Sequence, residues 1–166
     1  MGSPPVESQL VESQLAESQL VELLRRRGWT VAAAESLTAG LVCSLIADVP
    51  GCSDVFTGGV VAYSPAVKGS VLSVTCLDAG LVSSDVARAM ASGVRHALGS
   101  SVGIATTGAA GPSSHDGAEA GSVWVAVETP ERAASEFHRF TGDRRSIREQ
   151  GARAALALAR DLVQQT

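Results

Sequence analysis

Four short segments of the sequence combine small residues with a hydroxyl, an amine or a guanidinium group. They are residues 34–40 (AESLTAG), 50–68 (PGCSDVFTGGVVAYSPAVK), 106–112 (TTGAAGP) and 142–148 (GDRRSIR). A serine hydroxyl becomes a nucleophile when a base lies next to it, and a lysine amine can be that base. Arginine guanidinium groups bind phosphates and carboxylates. The four segments together therefore predict an enzyme with a nucleophile, a base and an anion clamp.

Lys68 is the best candidate for the base. Ser64 and Pro65 are typical of a helix start, which puts Lys68 in the opening turn of a short helix. The positive end of the helix dipole disfavours a protonated amine there, and burial would act in the same direction. Tyr63, at the end of the preceding strand, is near enough in sequence to face the same cleft. The alternative is an exposed surface lysine.

Two serines are candidates for the nucleophile. Ser36 lies between a predicted strand and a predicted helix, where free backbone N–H groups can face an anion or an oxyanion. Ser36 or Thr38 could instead cap that helix. Ser53 lies in a Pro-Gly-Cys-Ser turn, where a hydroxyl commonly stabilises the turn itself. The residues alone leave the choice between the serines open.

Three arginines are grouped at the start of the last predicted helix. Arg144, Arg145 and Arg148 follow Asp143, the expected helix cap. Cations oppose the helix dipole at this end, at a cost of roughly 0.3–1 kcal/mol each when exposed. The grouping therefore suggests an anionic ligand such as a phosphate, and pairing with Asp143 and Glu149 is the alternative.

The segment 106–112 follows a predicted strand but has no helix directly behind it, so it does not match the dinucleotide-binding or P-loop patterns. It predicts a tight loop that offers backbone amides and a threonine hydroxyl to a ligand.

The composition excludes several classes of protein. The 166 residues are 45% apolar and 18% charged, which is typical of one folded domain. A net charge of −4 and 4% aromatic residues argue against a nucleic-acid partner. No apolar run approaches the roughly 18 residues of a membrane helix, so we expect a cytoplasmic protein without membrane contact. The three cysteines have no CxxC spacing, so we expect no disulfide framework. The three histidines are scattered, so we expect no metal site.

The N-terminus carries a tandem pentapeptide, VESQL-VESQL-AESQL. A five-residue step turns a helix by about 140°, so the repeated leucines wind around the axis and cannot form a coiled-coil seam. We expect a helix from about residue 6 to 26 that ends at Gly28. Residues 1–19 are predicted to be an extension, either solvated or partner-binding, and residues 20–166 the folded domain.

Strand and helix patterns alternate through the remaining chain. Strands are predicted at 30–34, 58–64, 101–106, 121–128 and 135–140, and helices at 38–48, 65–74, 83–98 and 143–164. The last two strands are predicted to form an antiparallel pair. This order indicates an α/β fold: a single three-layer α/β/α domain with a mixed, mostly parallel sheet.

Taken together, the four segments resemble the C-terminal domain family of the competence/damage-inducible protein CinA. The family pattern runs roughly AESCTGG, then D-x-PGSS-x-x-F-x-GG-x-x-x-YS-x-x-x-K, then TG-x-AGP, G-x-VW and GDR-x-x-x-R, and the similarity covers about residues 20–162. The family includes nicotinamide-nucleotide amidases, which hydrolyse the carboxamide of nicotinamide mononucleotide. The resemblance is to the stand-alone form, without the additional domain that precedes this one in full-length members.

The resemblance also implies roles for individual residues. Ser53 or Ser36 would be the nucleophile, with a slight preference for Ser53 because it shares a segment with Tyr63 and Lys68. Lys68 would be the base, with Tyr63 and Thr107 assisting or orienting. The expected substrate-binding residues are Thr38, Thr107, Gly108, Arg144, Arg145 and Arg148.

The chain departs from the family pattern at several positions. Leu37 and Ala39 replace a cysteine and a glycine, Cys52 replaces a serine, and the loop after Pro112 lacks the Gly-rich stretch. Leu37 is expected to narrow the pocket, and the β-carbon of Ala39 to oppose a turn that needs a positive φ.

The expected function is deamidation of nicotinamide mononucleotide to nicotinic acid mononucleotide and ammonia, by a homo-oligomer that needs no cofactor. One alternative is a catalytically inactive nucleotide-binding or regulatory module, and another is a scaffold assembled through the repeat helix.

Overall fold

The computed structural model describes the backbone of residues 6–166 and the side chains of residues 15–78 and 80–166. The helices are α1 (Val6–Arg27), α2 (Leu41–Ala47), α3 (Pro65–Leu72), α4 (Ser84–Leu98) and α5 (Arg144–Gln165). The strands are β1 (Val31–Glu35), β2 (Phe56–Val61), β3 (Val102–Gly108), β4 (Ser122–Glu128) and β5 (Ala133–Arg139). The predicted alternation of strands and helices is confirmed.

Within the described residues the strands form one five-stranded mixed sheet in the order β2-β1-β3-β4-β5. β1 pairs in parallel with β2 and with β3, whereas β4 pairs antiparallel with β3 and with β5. The predicted β4–β5 hairpin is therefore confirmed. The carboxyl ends of β1, β2 and β3 meet at one edge of the sheet, which is where α/β domains commonly bind ligands.

Helices cover both faces of the sheet, which confirms the predicted three layers. One core lies between the sheet and α1, α2 and α5, and the other lies between the sheet and α3 and α4. A strand covered on both faces has no solvent-facing side, so its residues are mostly apolar or small, and a charged residue there needs hydrogen-bond partners, as Glu35 has. β1 shows this, because all five of its residues are buried. Its three consecutive alanines leave room for helices to approach on either side.

Within the described side chains, α1 packs into the domain from about residue 17, before the predicted boundary at residue 20. Leu20 and Leu24 are fully buried on α1, as expected, but Glu17 is also buried, with 4% of its surface exposed. The Glu17 carboxylate lies 4.0 Å from the Arg153 guanidinium of α5. Burial raises the pKa of Glu17 above its usual value. The third pentapeptide is thus part of the packed domain, whereas residues 1–5 and the side chains of 6–14 lie outside the described part.

α2 begins later than predicted, at Leu41, because residues 36–40 form a tight turn. Ala39 has a φ of 48° and Gly40 a φ of 101°, so two consecutive residues adopt the left-handed conformation. The sequence predicted that the β-carbon of Ala39 would oppose such a turn. The turn forms nevertheless, and the Ala39 backbone is strained in it. A non-glycine residue pays roughly 1–2 kcal/mol in this region.

We therefore expect Ala39→Gly to stabilise the protein by about 0.5–1 kcal/mol, since relief of the strain exceeds the entropy cost of glycine. Urea unfolding measures the difference. Ala89→Gly, in the middle of α4, is the matched control and should destabilise by about 1 kcal/mol. Equal destabilisation by both changes would contradict the assignment of strain to Ala39.

Candidate active site

Ser36 and Lys68 meet at the edge of the sheet formed by the carboxyl ends of the parallel strands. The Lys68 Nζ lies 2.9 Å from the Ser36 Oγ and 2.8 Å from the carbonyl oxygen of Ala62. These distances are those of direct hydrogen bonds. The structure therefore places an amine in contact with a serine hydroxyl, which is the geometry of a base and a nucleophile.

Local sequence explains how Lys68 reaches this position. Ser64 caps α3, with its hydroxyl accepting the N–H of Val67 at 3.3 Å, and Pro65 occupies the first turn. Lys68 follows within the opening turn, as predicted, and points into the protein. It is not the exposed lysine of the alternative interpretation, because only 1% of its surface is accessible.

Burial also sets the charge state of Lys68. It lowers the pKa of the amine from 10.5 to about 8, because a buried cation loses its hydration. Among the described residues no carboxylate lies within ion-pair distance of Lys68 to offset that loss. A substantial neutral fraction at mildly alkaline pH follows, and only the neutral amine can accept a proton.

The Glu35 carboxylate fixes the backbone around Ser36. It accepts the N–H groups of Gly40, Val42 and Cys43 at 2.8–3.0 Å and so caps the start of α2. The Ser36 N–H donates to the carbonyl of Thr106 on β3 at 3.1 Å. Ser36 is therefore held in a turn that is tied to two strands. Its own hydroxyl does not cap α2 and remains free to contact Lys68.

Thr38 and Arg148 support this turn from the side of α5. The Thr38 hydroxyl is fully buried and bonds the Thr106 hydroxyl at 2.7 Å. The Arg148 guanidinium donates to the carbonyls of Leu37 at 2.8 Å and Thr38 at 3.0 Å. Both side chains were expected to bind substrate, but the structure gives each of them backbone or threonine partners that hold the Ser36 turn.

A cavity of about 260 Å³ opens above Ser36. Its lining comprises Ser36, Leu37, Tyr63, residues 108–115 and Arg144. None of these residues is an aspartate or a glutamate, so the lining carries positive but no negative side-chain charge. Leu37, which stands where the family pattern has a cysteine, lines this cavity, and the narrowing expected from it remains a prediction.

Arg144 is the arginine that reaches the cavity. Its Nη1 donates to the Gly111 carbonyl at 2.8 Å and its Nη2 to the Tyr63 hydroxyl at 2.7 Å. Within the described residues no carboxylate lies within ion-pair distance of Arg144. A cation held at a cavity mouth by neutral oxygens can exchange one of them for an anion. Asp143 does not pair with it, because its carboxylate caps α5 at the Ser146 N–H.

Two predicted residues lie away from this cavity. Ser53 is exposed in a single 3-10 turn, Cys52–Asp54, that precedes β2. Since β2 runs parallel to β1, Ser53 lies at the amino end of the strands, just before the Phe56–Val31 pair, and Ser36 lies at the carboxyl end, just after Glu35. Arg145 points outward and pairs with Glu149 at 2.8 Å, which is the alternative given above for the arginines. Lys68 therefore contacts Ser36 and not Ser53, which favours Ser36 as the candidate nucleophile.

The remaining predicted residues flank the site. Gly108 lines the cavity at the end of β3, and an added β-carbon there would lie 2.6 Å from the Ser122 carbonyl oxygen, so the position requires glycine. The Thr107 hydroxyl points away from the cavity and donates to the Leu81 carbonyl at 2.7 Å. Tyr63, 56% exposed, lies at the cavity mouth against Arg144.

Sequence reasoning missed two components of the site. The Ala62 carbonyl binds Lys68, but a backbone oxygen leaves no signature in the residue types. Residues 113–115, Ser-Ser-His, also line the cavity, and the sequence signals them only by their departure from the Gly-rich stretch of the family pattern. Across the described side chains, no group of three histidine, cysteine or acidic residues could hold a metal ion. No helix of the described chain has the length and apolarity to cross a bilayer.

Comparison with known proteins gives consistent matches along most of the chain. The family model for the CinA C-terminal domain matches residues 13–163. A competence-damage inducible protein of Desulforamulus reducens is 43% identical over 146 residues, which cover 86% of this chain and 36% of the relative. A CinA-like protein of Frankia casuarinae is 41% identical over 144 residues, 85% of this chain and 33% of the relative. The chain thus spans about a third of the length of these relatives.

Solved structures show the same fold. A CinA superfamily protein from Klebsiella pneumoniae superposes with a TM-score of 0.87 at 28% identity, over 93% of this chain and 99% of that one.

Proposed function

Because this chain belongs to the CinA C-terminal domain family, we propose that it is an amidohydrolase that converts nicotinamide mononucleotide to nicotinic acid mononucleotide and ammonia. The observation that carries the proposal is the 2.9 Å contact between the Lys68 amine and the Ser36 hydroxyl at the base of a cationic cavity. The resemblance to nicotinamide-nucleotide amidases motivates the choice of substrate, and the contact between a buried amine and a hydroxyl supports amide hydrolysis as the reaction.

The proposed reaction begins with the neutral form of Lys68. One N–H of the amine donates to the Ala62 carbonyl, which leaves the nitrogen lone pair directed at the Ser36 hydroxyl. As the Ser36 Oγ attacks the carboxamide carbon, its proton passes to Lys68. The resulting ammonium then gives that proton to the departing amide nitrogen, and ammonia leaves. Water, deprotonated by the same amine, hydrolyses the acyl-enzyme ester and restores the serine.

Backbone N–H groups beside Ser36 are the candidates for stabilising the oxyanion. In the described part of the chain the Leu37 N–H donates to no protein acceptor, and Leu37 adjoins the nucleophile in the cavity lining. Residues 108–111 form the facing wall and offer further amides. Donors fixed before the reaction stabilise developing charge without reorganisation, which is the largest contribution in many acyl-transfer enzymes.

Arg144 is proposed to bind the 5′-phosphate of the substrate. It faces the cavity, has no carboxylate partner among the described residues and is held in place by Gly111 and Tyr63. A phosphate oxygen would replace the Tyr63 hydroxyl, and a charge-assisted hydrogen bond to phosphate is stronger than one to a phenol. Binding through a remote phosphate also orients the carboxamide over Ser36.

Arg144→Ala should raise the KM for nicotinamide mononucleotide by about 10- to 100-fold, because a hydrogen bond to a charged group contributes roughly 1.5–3 kcal/mol. The kcat should change much less, since the interaction is present in both ground and transition states. Arg145→Ala is the matched control, one residue away on the same helix and facing solvent. Equal effects from both substitutions would refute the assignment of phosphate binding to Arg144.

Ammonia release from nicotinamide mononucleotide by the purified chain tests the proposed function directly. A coupled glutamate dehydrogenase assay follows ammonia, and chromatography identifies nicotinic acid mononucleotide as the second product. If the protein releases no ammonia, yet the nucleotide raises its melting temperature, then the site binds without turnover and the amidase proposal fails.

A further inference from the structure

The loop between β3 and β4 brings a histidine to the cavity that the proposed reaction does not use. Ser113, Ser114 and His115 line the cavity together with Arg144. His115 is exposed and is the only imidazole among the lining residues. Its place in the loop is set by a two-residue backbone turn and by the carboxylates of Asp116 and Glu119, which engage partners on either side of that turn.

A tight turn holds the backbone of His115. Its N–H donates to the Ala118 carbonyl and its carbonyl accepts the Ala118 N–H, both at 2.9 Å. The two residues between them, Asp116 and Gly117, have φ values of 50° and 76°. Two consecutive left-handed residues closing such a pair form the two-residue turn that Asp-Gly sequences favour. The tip of the loop is therefore an ordered turn.

Carboxylates on both sides of the turn tie it to the rest of the domain. The Asp116 carboxylate accepts the Leu81 N–H, and the Leu81 carbonyl in turn accepts the Thr107 hydroxyl at 2.7 Å. On the other side, Glu119 pairs with Arg139 of β5. Both acidic side chains of the loop are thus engaged outside the cavity, so neither neutralises the positive charge that Arg144 places inside it.

We propose that His115 is a second phosphate-binding residue, which contacts the same anion as Arg144 and is positioned by the Asp116–Leu81–Thr107 chain of hydrogen bonds. An imidazole N–H donates to phosphate oxygens, and its protonated form does so with charge assistance. The cavity lining contains no carboxylate that would compete for this donor. The identity of the phosphorylated ligand rests on the proposed function, whereas the anion site itself rests on the arrangement of Arg144 and His115.

Calorimetric titration with ribose 5-phosphate tests the proposal without requiring catalysis. We expect His115→Ala to weaken binding of this probe about tenfold, and His115→Lys, which keeps a cation, to stay within about threefold of wild type. His96→Ala is the matched control, since His96 is exposed on α4 and bonds only the Ser92 carbonyl. Unchanged binding by His115→Ala, or no binding by wild type at millimolar probe, would overturn the proposal.

Amidase kinetics separate this proposal from the proposed function. With nicotinamide mononucleotide, His115→Ala should raise KM about tenfold and leave kcat within about twofold. With nicotinamide riboside, which has no phosphate, the substitution should change neither KM nor kcat. A merely structural role of His115 would instead affect both substrates alike. If the protein releases ammonia and His115→Ala has no effect, the phosphate-binding role of His115 is refuted and the amidase proposal stands. No ammonia release, combined with weakened probe binding, refutes the amidase and supports the anion site.

Discussion

Ser36→Ala should lower the kcat of amide hydrolysis about a million-fold, to a residual rate supplied by binding and the oxyanion donors. The Ser36 Oγ is the hydroxyl within 2.9 Å of the Lys68 amine, so its removal leaves the base with no nucleophile to activate. The KM should change little, because the hydroxyl contributes to the transition state and not to phosphate binding. Steady-state ammonia release with the purified variant measures the loss.

Ser53→Ala is the matched control for this experiment. Ser53 is exposed at the opposite end of the parallel strands, so its hydroxyl cannot reach the cavity. We expect wild-type kinetics and a change in stability within about 0.5 kcal/mol. A large loss of activity in this variant, with Ser36→Ala active, would invert the assignment of the nucleophile.

The second large effect concerns Lys68 and pH. Burial lowers the pKa of its amine to about 8, and the neutral form is the proposed base. We therefore expect kcat/KM to rise with pH through a midpoint near 8 and then to level off. At pH 6 the rate should be about one hundredth of the plateau, since each unit below the pKa reduces the neutral fraction tenfold. A flat profile between pH 6 and 9 would exclude Lys68 as the base.

Two substitutions distinguish a base from a structural cation. Lys68→Arg keeps a positive charge that cannot be lost in this range, and Lys68→Met keeps the length and the apolar stem. We expect both to lose activity by about a thousandfold or more, the arginine because it stays protonated and the methionine because it has no lone pair of sufficient basicity. Retained activity in Lys68→Arg would indicate a purely electrostatic role.

The same pKa has a consequence for stability. The folded-state pKa lies below the unfolded value of 10.5, so the unfolded chain binds the proton more tightly. The contribution of Lys68 to stability is therefore present above about pH 10.5 and is lost as pH falls through about 8. Urea unfolding of wild type and Lys68→Met across this interval should show wild type gaining stability relative to the variant as pH rises.

Local patterns determined the elements that carry the site. Apolar residues recur at four-residue spacing along the predicted helix 83–98, which became α4, and Val86, Met90 and Val94 are all fully buried there. Ser64 and Pro65 likewise predicted that Lys68 lies in the opening turn of α3. This succeeded because capping and the fixed φ of proline act within one helical turn.

The start of α2 shows where local patterns failed. Thr38 is a residue type that commonly caps a helix, and the sequence predicted a helix from that position. In the structure the cap is the Glu35 carboxylate, which lies at the end of the preceding strand and accepts three N–H groups. The resulting turn forces Ala39 into the left-handed region, a conformation that its residue type disfavours. The position of a carboxylate across a turn cannot be derived from residue spacing.

By itself the sequence determined the layered α/β fold, the placement of Lys68 at a helix start and the set of segments that contribute to the site. Tertiary structure places Ser36 against Lys68 and Arg144 at the cavity, and it places Ser53 and Arg145 away from both. Ser53 is nearer to Lys68 along the chain than Ser36 is, yet the intervening strand β2 carries it to the other end of the sheet. Ser36 meets Lys68 because β1 and β2 pair in parallel with their carboxyl ends together, and that register is set by packing between residues far apart in sequence.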